Sequence, residues 1–243
     1  SRMANTSVPP SPQEVSNELG LYESLTDCLK AAARGWLPGP IRRSLLQLRR
    51  PAAPRALSAS VLPVRDLRPL AFPEVSAPSV SIVVAVHGQR DCVYRCLRSL
   101  RVHRSRYSFE VIVVDDVSPD DTPTMLLGVN GIKLITNESN LGFIRSCNKG
   151  ASIARGVFLV MLNSDTVIQP GWLDELVDTF KAFPEAGLVG SKLIYPDGTL
   201  QEAGGLIWSD GSGWNIGRNG DASAPEHSYL REVDYCSGAS IMV

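Results

Sequence analysis

The chain has 243 residues, 44% of them hydrophobic, enough for one large domain with a core or for a domain plus an appendage. Its formal net charge is −1, so no global excess of charge invites nucleic acid, and no nucleic-acid partner is expected. No apolar run is long enough to span a bilayer, and residues 1–20 lack the apolar core of a signal peptide.

Residues 11–36 read as a helix. Ser11-Pro12-Gln13-Glu14 is a capping box with Pro at the first helical position, and Val15, Leu19, Tyr22, Leu25, Leu29 and Trp36 follow at helical spacing. An N-terminal helical segment over 1–38 is therefore expected. Eight prolines between Pro38 and Pro78 then break the pattern, which makes 39–78 a Pro-rich linker. The basic cluster Arg42, Arg43, Arg49 and Arg50 is simplest as a solvated face. Peripheral contact with anionic headgroups at the inner face of a membrane is the one membrane association it leaves open.

From Val80 the register changes. Val80–Val86 is a continuous β-branched run, the pattern of a buried parallel strand. A helix is expected over Asp91–His103 and a second strand over Phe109–Val114, ending in Asp115-Asp116. Ser118-Pro119-Asp120-Asp121 reads as the start of another helix. Ile132–Ile135 is a short strand, Leu141–Ala154 a helix and Val157–Leu162 a fourth strand, ending in Asn163-Ser164-Asp165. An amphipathic helix carrying Trp172, Leu176, Phe180 and Phe183 follows. Strands and helices alternating at this spacing imply βαβ units and a mostly parallel, Rossmann-like α/β sheet. After Leu188 shorter strands are expected at Leu188–Tyr195, Thr199–Trp208 and Val233–Val243, with a loop over 209–228. The sequence stops inside that last apolar run, so a domain cut before its closing elements is expected.

The five cysteines (Cys28, Cys92, Cys96, Cys147 and Cys236) are odd in number and scattered, which suits reduced thiols in a cytoplasmic protein. Neither they nor the three histidines follow metal-ligand spacing.

In an open parallel sheet, ligands sit beyond the carboxyl ends of the strands. Three such ends carry polar groups: His87-Gly88, Asp115-Asp116 and Asn163-Ser164-Asp165. Each alone is a common turn or cap composition. Gathered at one rim they read as a binding crevice, and the repulsion among the carboxylates calls for a cation or a donor-rich ligand. No dinucleotide fingerprint, P-loop or nucleophile elbow is present.

The stretches "VSIVVAVHGQRDCVYRCLRSL", "FEVIVVDDVSPDDT", "NESNLGFIRSCNKGASIARGVFLVMLNSDT" and "GWLDELV" resemble, in that order, family 2 glycosyltransferases of GT-A fold. The resemblance runs over 79–243, so this span is expected to be the catalytic-type domain. "KLIYPDGTLQEAGGLIWSDGSGWNIGR" looks like bacterial members that build rhamnose-containing or O-antigen-type polysaccharides. The resemblance implies an inverting transfer from a UDP- or dTDP-sugar to a glycan or lipid-linked glycan acceptor, with Mg²⁺ or Mn²⁺. By it, Asp165 matches the metal-binding acid of an Asp-x-Asp motif, with Asn163 facing the ribose or a metal-bound water and Ser164 between them. Asp115 and Asp116 match the acid pair, with Asp116 accepting a hydrogen bond from the base. His87 is placed to stack on that base and Ala85 to lie near the ribose. Asn140, Gly142, Asn148 and Gly150 fit the donor-loop pattern, although Asn140 also reads as a plain helix cap. The family's general base falls in an acidic pair beyond Val243, so this chain is expected to bind donor without efficient transfer. Glu202 and Asp234 are weak substitutes for that base. A non-catalytic nucleotide-sugar-binding or scaffold module is the alternative. A sugar nucleotidyltransferase is disfavoured by the short, Gly-poor loop after the first strand.

Overall fold

The structure, a computed structural model, describes Val64 and residues 67–243. The expected N-terminal helix and most of the linker lie outside the described residues.

The described chain opens with a short strand, β1 (Leu70–Ala71). Val80–Val86 then forms strand β2, buried along its whole length. With helix α1 (Arg90–Val102) and β3 (Phe109–Asp115) it makes the first βαβ unit, and β5 (Lys133–Thr136) and β6 (Phe158–Leu162) extend the sheet. β2 pairs in parallel with β3 on one side and β6 on the other, while β3 carries β5 at the edge. Two short strands complete the sheet, β7 (Val189–Gly190) and β12 (Ser240–Met242), in the order β5-β3-β2-β6-β12-β7. β12 runs antiparallel between β6 and β7.

Both faces are covered, which is why β2 and β3 are apolar without alternation. Ile82, Val84 and Val86 face one core, shared with Val93, Leu97 and Leu100 of α1 and with Leu173, Leu176 and Val177 of α4 (Trp172–Ala182). Val83, Ile112 and Val114 face the other. There α3 (Phe143–Ala151) crosses the sheet at Gly150, where a Cβ would stand 2.5 Å from Val83 Cγ1.

Several boundaries differ from expectation for local reasons. Ser118 does not open a helix. Its hydroxyl and N–H are both taken by Asp115 Oδ1, and α2 (Thr122–Leu127) starts only where Asp120 Oδ1 accepts from Thr122 N–H at 3.0 Å. The helix expected from Leu141 begins at Phe143, because Gly142 sits at φ 80°, ψ 166°, outside helical space. Leu188–Tyr195 is split into β7 and β8 (Leu193–Ile194), and β9 (Leu200–Glu202) and β10 (Gly205–Ile207) replace one longer strand. The loop expected over 209–228 contains β11 (Gly213–Asn215) and a 3₁₀ turn, Pro225–His227. Of Val233–Val243 only β12 is strand. The end of the expected linker is part of the domain: β1 pairs in parallel with β4 (Val129–Asn130), and Leu70 and Phe72 are buried in the core.

Candidate active site

The parallel strands β2, β3 and β6 end at one rim, and a cleft of about 310 Å³ opens there. Ala85 and His87 line it from β2 and the following turn, Asp116 from the end of β3, Asn140 and Gly142 from the loop before α3, and Asn163, Ser164 and Asp165 from the end of β6. Other residues singled out in the sequence stand apart. Asp115 is buried and spends its carboxylate on the turn below the rim. Its Oδ1 accepts from Ser118 N–H and from the Ser118 hydroxyl, which itself accepts from Gly88 N–H at 2.7 Å. Asn148 is exposed on α3 and does not line the cleft. Gly150 serves the helix–sheet contact and is likewise absent from the lining.

Asp116 anchors the loop that precedes α3. Its Oδ1 accepts from Leu141 N–H at 2.8 Å and from Asn137 Nδ2 at 2.7 Å, and its Oδ2 accepts from Gly142 N–H at 2.8 Å. Burial acts to raise the Asp116 carboxyl, but the donors from Leu141, Asn137 and Gly142 outweigh it and hold its pKa below the ordinary carboxylate value. Among the described residues Asp116 Oδ2 takes this single donor, Gly142 N–H, so the carboxylate keeps acceptor capacity beside its hold on the loop.

His87 is oriented from the same residue. Its Nδ1 lies 2.8 Å from the Asp116 carbonyl oxygen, which can only accept, so Nδ1 carries the proton. Nε2 then faces Asn140 Nδ2 at 3.5 Å, while Asn140 Oδ1 accepts from Gly142 N–H at 3.0 Å. Asn140 lines the cleft but does not cap α3: the N-cap position is Gly142, and the Asn140 side chain closes a turn before it.

At the opposite wall the backbone of Asn163 is fully used. Its N–H donates to Ala239 O at 2.9 Å, and its carbonyl accepts from Thr166 N–H, from the Thr166 hydroxyl at 2.7 Å and, more weakly, from Cys96 Sγ–H at 3.6 Å. Cys96 is a packing thiol, its pKa pushed up to about 12 chiefly by burial. The Asn163 side-chain Oδ1 is buried and has no hydrogen-bond partner among the described residues. Asp165, two residues on, is exposed and makes no hydrogen bond or ion pair among the described residues. A buried oxygen without a donor beside an uncommitted carboxylate suits a hard cation. No group of three His, Cys, Asp or Glu side chains able to hold a metal occurs among the described residues. The donor set thus fits a cation completed by ligand phosphate and water, not one caged by protein. Glu202 and Asp234 are engaged elsewhere, accepting from Ser237 N–H and Ile207 N–H respectively, and neither lines the cleft.

Val86, Gly88 and Gln89 also line the cleft without having been foreseen as site residues, and so do residues of α3 with their support. Phe143 lines the cleft with half its surface exposed. It continues the buried Cys147 and Gly150 stripe of α3 by one turn, past the strand ends, so it faces the cleft where its helical neighbours face the core. That spacing was visible in the sequence. Ser146, also lining, sits on the same stripe. Asn137 had no sequence signal beyond its place after β5. It donates from Nδ2 to Asp116 Oδ1 and to Ser146 Oγ at 3.0 Å, and its Oδ1 accepts from Lys149 Nζ at 2.8 Å.

Residues 81–230 match the model of glycosyl transferase family 2. The O-antigen biosynthesis protein RfbC of Myxococcus xanthus is 34% identical over 145 residues, which is 58% of this chain and 11% of that protein. The putative glycosyltransferase EpsH of Bacillus subtilis is 34% identical over 110 residues, 43% of this chain and 31% of that one. The chain thus spans well under half the length of either relative. A mannosyltransferase of Pyrobaculum calidifontis, solved with GDP-Man and Mn²⁺, superposes with a TM-score of 0.43 at 21% identity, over 52% of this chain and 39% of that one. The chain belongs to glycosyl transferase family 2, and its α/β domain has the GT-A fold.

Proposed function

We propose that the cleft holds a nucleotide-diphosphate sugar, with UDP or dTDP as the nucleotide, and that the parent activity is inverting, metal-dependent transfer of a hexosyl or deoxyhexosyl group to a glycan in surface-polysaccharide synthesis. The observation that carries this is the pairing of the partnerless buried Asn163 Oδ1 with the uncommitted Asp165 carboxylate at the carboxyl rim of the parallel strands. Family membership and the relative named for O-antigen biosynthesis support the reaction class and the polysaccharide context.

Each residue then has a task. Asp165 and Asn163 offer oxygen ligands to Mg²⁺ or Mn²⁺, which, when bound, stabilises the charge that a departing diphosphate gains. His87 and Phe143 present ring surface to the base, and Ala85 leaves room beside the ribose. Asp116 acts through the loop it grips, holding Leu141 and Gly142 in place so that the nucleotide meets a preformed wall. Asn140 fixes the His87 ring. Ser164 adds a hydroxyl between the two oxygen ligands.

Calorimetry with UDP- and dTDP-sugars, with and without Mn²⁺, tests the reading. Binding should require the cation, and Asp165→Ala should weaken it by at least about tenfold, since one of two protein ligands to the ion is removed. A chain that binds no nucleotide sugar under any of these conditions would be the scaffold module instead.

A further inference from the structure

We infer that the hairpin β10–β11 is a stacking platform for sugar rings of a glycan acceptor, a subsite outside the donor cleft that rests on the transferase reading above. Leu206 lies directly opposite Trp214 in the pairing, and Trp208, two residues on from Leu206, shares their face. The pairing continues past the strand through Trp208 N–H to Ser212 O at 2.8 Å. Trp208 is 53% exposed and Trp214 62%. Their indole N–H groups have no hydrogen-bond partner among the described residues. Trp172 is the contrast: its Nε1 donates to the Ser191 and Ser240 hydroxyls, both at 3.0 Å.

The platform is built, not loose. The opposite face of the hairpin carries Gly205 and Gly213, and the Tyr235 ring lies beneath them. A Cβ on Gly205 would stand 2.1 Å from Tyr235 Cζ, so only glycine admits the ring. The Tyr235 hydroxyl donates to Asn215 Oδ1 at 2.6 Å, and Tyr235 exchanges backbone hydrogen bonds with Gly205. This backing also fixes where the platform stands. The chain from Tyr235 to Ala239 advances four residues, at most about 14 Å. The Ala239 carbonyl accepts from Asn163 N–H at the wall of the cleft. The hairpin is therefore tethered on the Asp165 side, away from the loop that Asp116 grips.

The chemistry of the face selects the occupant. Two exposed indoles offer flat apolar area and two unused donors, which matches the C–H face and hydroxyl rim of a pyranose. Asp210 and Asp234 flank the hairpin, which disfavours an anionic bilayer. Three side chains are far too little for a stable contact between two copies, which needs roughly 800 Å² from each partner.

The test titrates neutral oligosaccharides of rhamnose, mannose, galactose and glucose into the full chain and its Trp208→Ala and Trp214→Ala variants, read by tryptophan fluorescence and calorimetry. At least one saccharide should bind, and each variant should bind it roughly tenfold more weakly. UDP binding in the presence of Mn²⁺ should be unchanged in both. The proposal is overturned if no saccharide binds, or if the variants bind as the wild type does. It is also overturned if the two tryptophans instead govern binding to phosphatidylcholine vesicles or self-association in sedimentation. Absence of UDP binding in the wild type would sink the donor reading alone, because the saccharide arm contains no nucleotide.

Discussion

Asn137 shows how much of one cleft wall hangs on one uncharged side chain. It is buried, and its amide joins three groups: Asp116 after β3, Ser146 on α3 and Lys149 one turn further along. Removing it takes one donor from Asp116 Oδ1 and one from Ser146 Oγ in a dry environment, where an unmade hydrogen bond costs most. Asn137→Ala should therefore lower stability by about 2 kcal/mol in urea unfolding. It should also weaken nucleotide binding, since the Leu141–Gly142 loop loses part of its anchor. Lys149→Ala is the control. Its ammonium is on an exposed residue and touches only the outer end of the network, so its cost should stay under about 1 kcal/mol. Equal losses in the two variants would remove Asn137 from its central position.

At the scale of elements, α3 carries the cleft because it lies close to the sheet, and it lies close because Gly150 has no side chain. A methyl group there would meet Val83 Cγ1 at 2.5 Å and Val114 Cγ2 at 3.1 Å. Gly150→Ala gains roughly 1 kcal/mol in helix propensity but overpacks a close contact, which costs about 1–3 kcal/mol. The expected net effect is a lower melting temperature and weaker nucleotide binding, as Phe143 and Ser146 move with the helix. Val83→Ala in the same chain makes room and should recover part of the loss, a coupling that a double-mutant cycle measures. Strands β2, β3 and β6 were legible in the sequence to within a residue or so: burial on both faces fills β2 and β3 with β-branched residues, and β6 is a short unbroken apolar run. His87, Asp116 and Asn163-Ser164-Asp165 stood out for the same reason, since each follows the end of a strand. For β12 a strand was expected but over all of Val233–Val243: its three residues and its antiparallel place are set by β6 and β7 on either side, and nothing in Ser240–Met242 announces that pairing. The resemblance singled out Asp116 of the acid pair, and Asp116 is the one that lines the cleft, but the residue pattern alone does not separate it from Asp115. Adjacent carboxylates at a strand end point to opposite sides, and only the folded turn at Ser118 decides which one faces the cleft.

Across the whole domain, the cleft and a stabilising charged cluster are placed at opposite ends of the same strands. The carboxyl rim holds the cleft. Near the amino end, Glu110, one residue into β3, gathers a charged cluster. Its Oε1 accepts from the Ser81 hydroxyl at 2.8 Å and Arg155 N–H at 2.9 Å, and its Oε2 from Arg155 Nε at 3.0 Å, with Lys133 Nζ also at 3.0 Å. Arg155 reaches on to the Val75 and Ser76 carbonyls, so the cluster also ties down the chain that enters β2. Burial works to raise the Glu110 carboxyl, but Arg155, Ser81 and Lys133 prevail and bring its pKa down from 4.5 to about 2. Between those two values the unfolded chain binds the proton and the folded one does not. The stabilisation is therefore complete above about pH 4.5 and is lost as pH falls toward 2. Arg155 and Lys133 are partly exposed, which screens the ion pairs and sets the contribution at about 2 kcal/mol. Glu110→Gln should cost about that much at pH 7 in urea unfolding, and the gap to the wild type should narrow as the pH is lowered through 4.5 toward 2. Nucleotide affinity at pH 7 should not change, because no atom of the cluster reaches the rim. A gap that stays constant with pH would mean that Glu110 contributes by packing and not by charge, and a loss of nucleotide binding would mean that the two ends of the sheet are coupled.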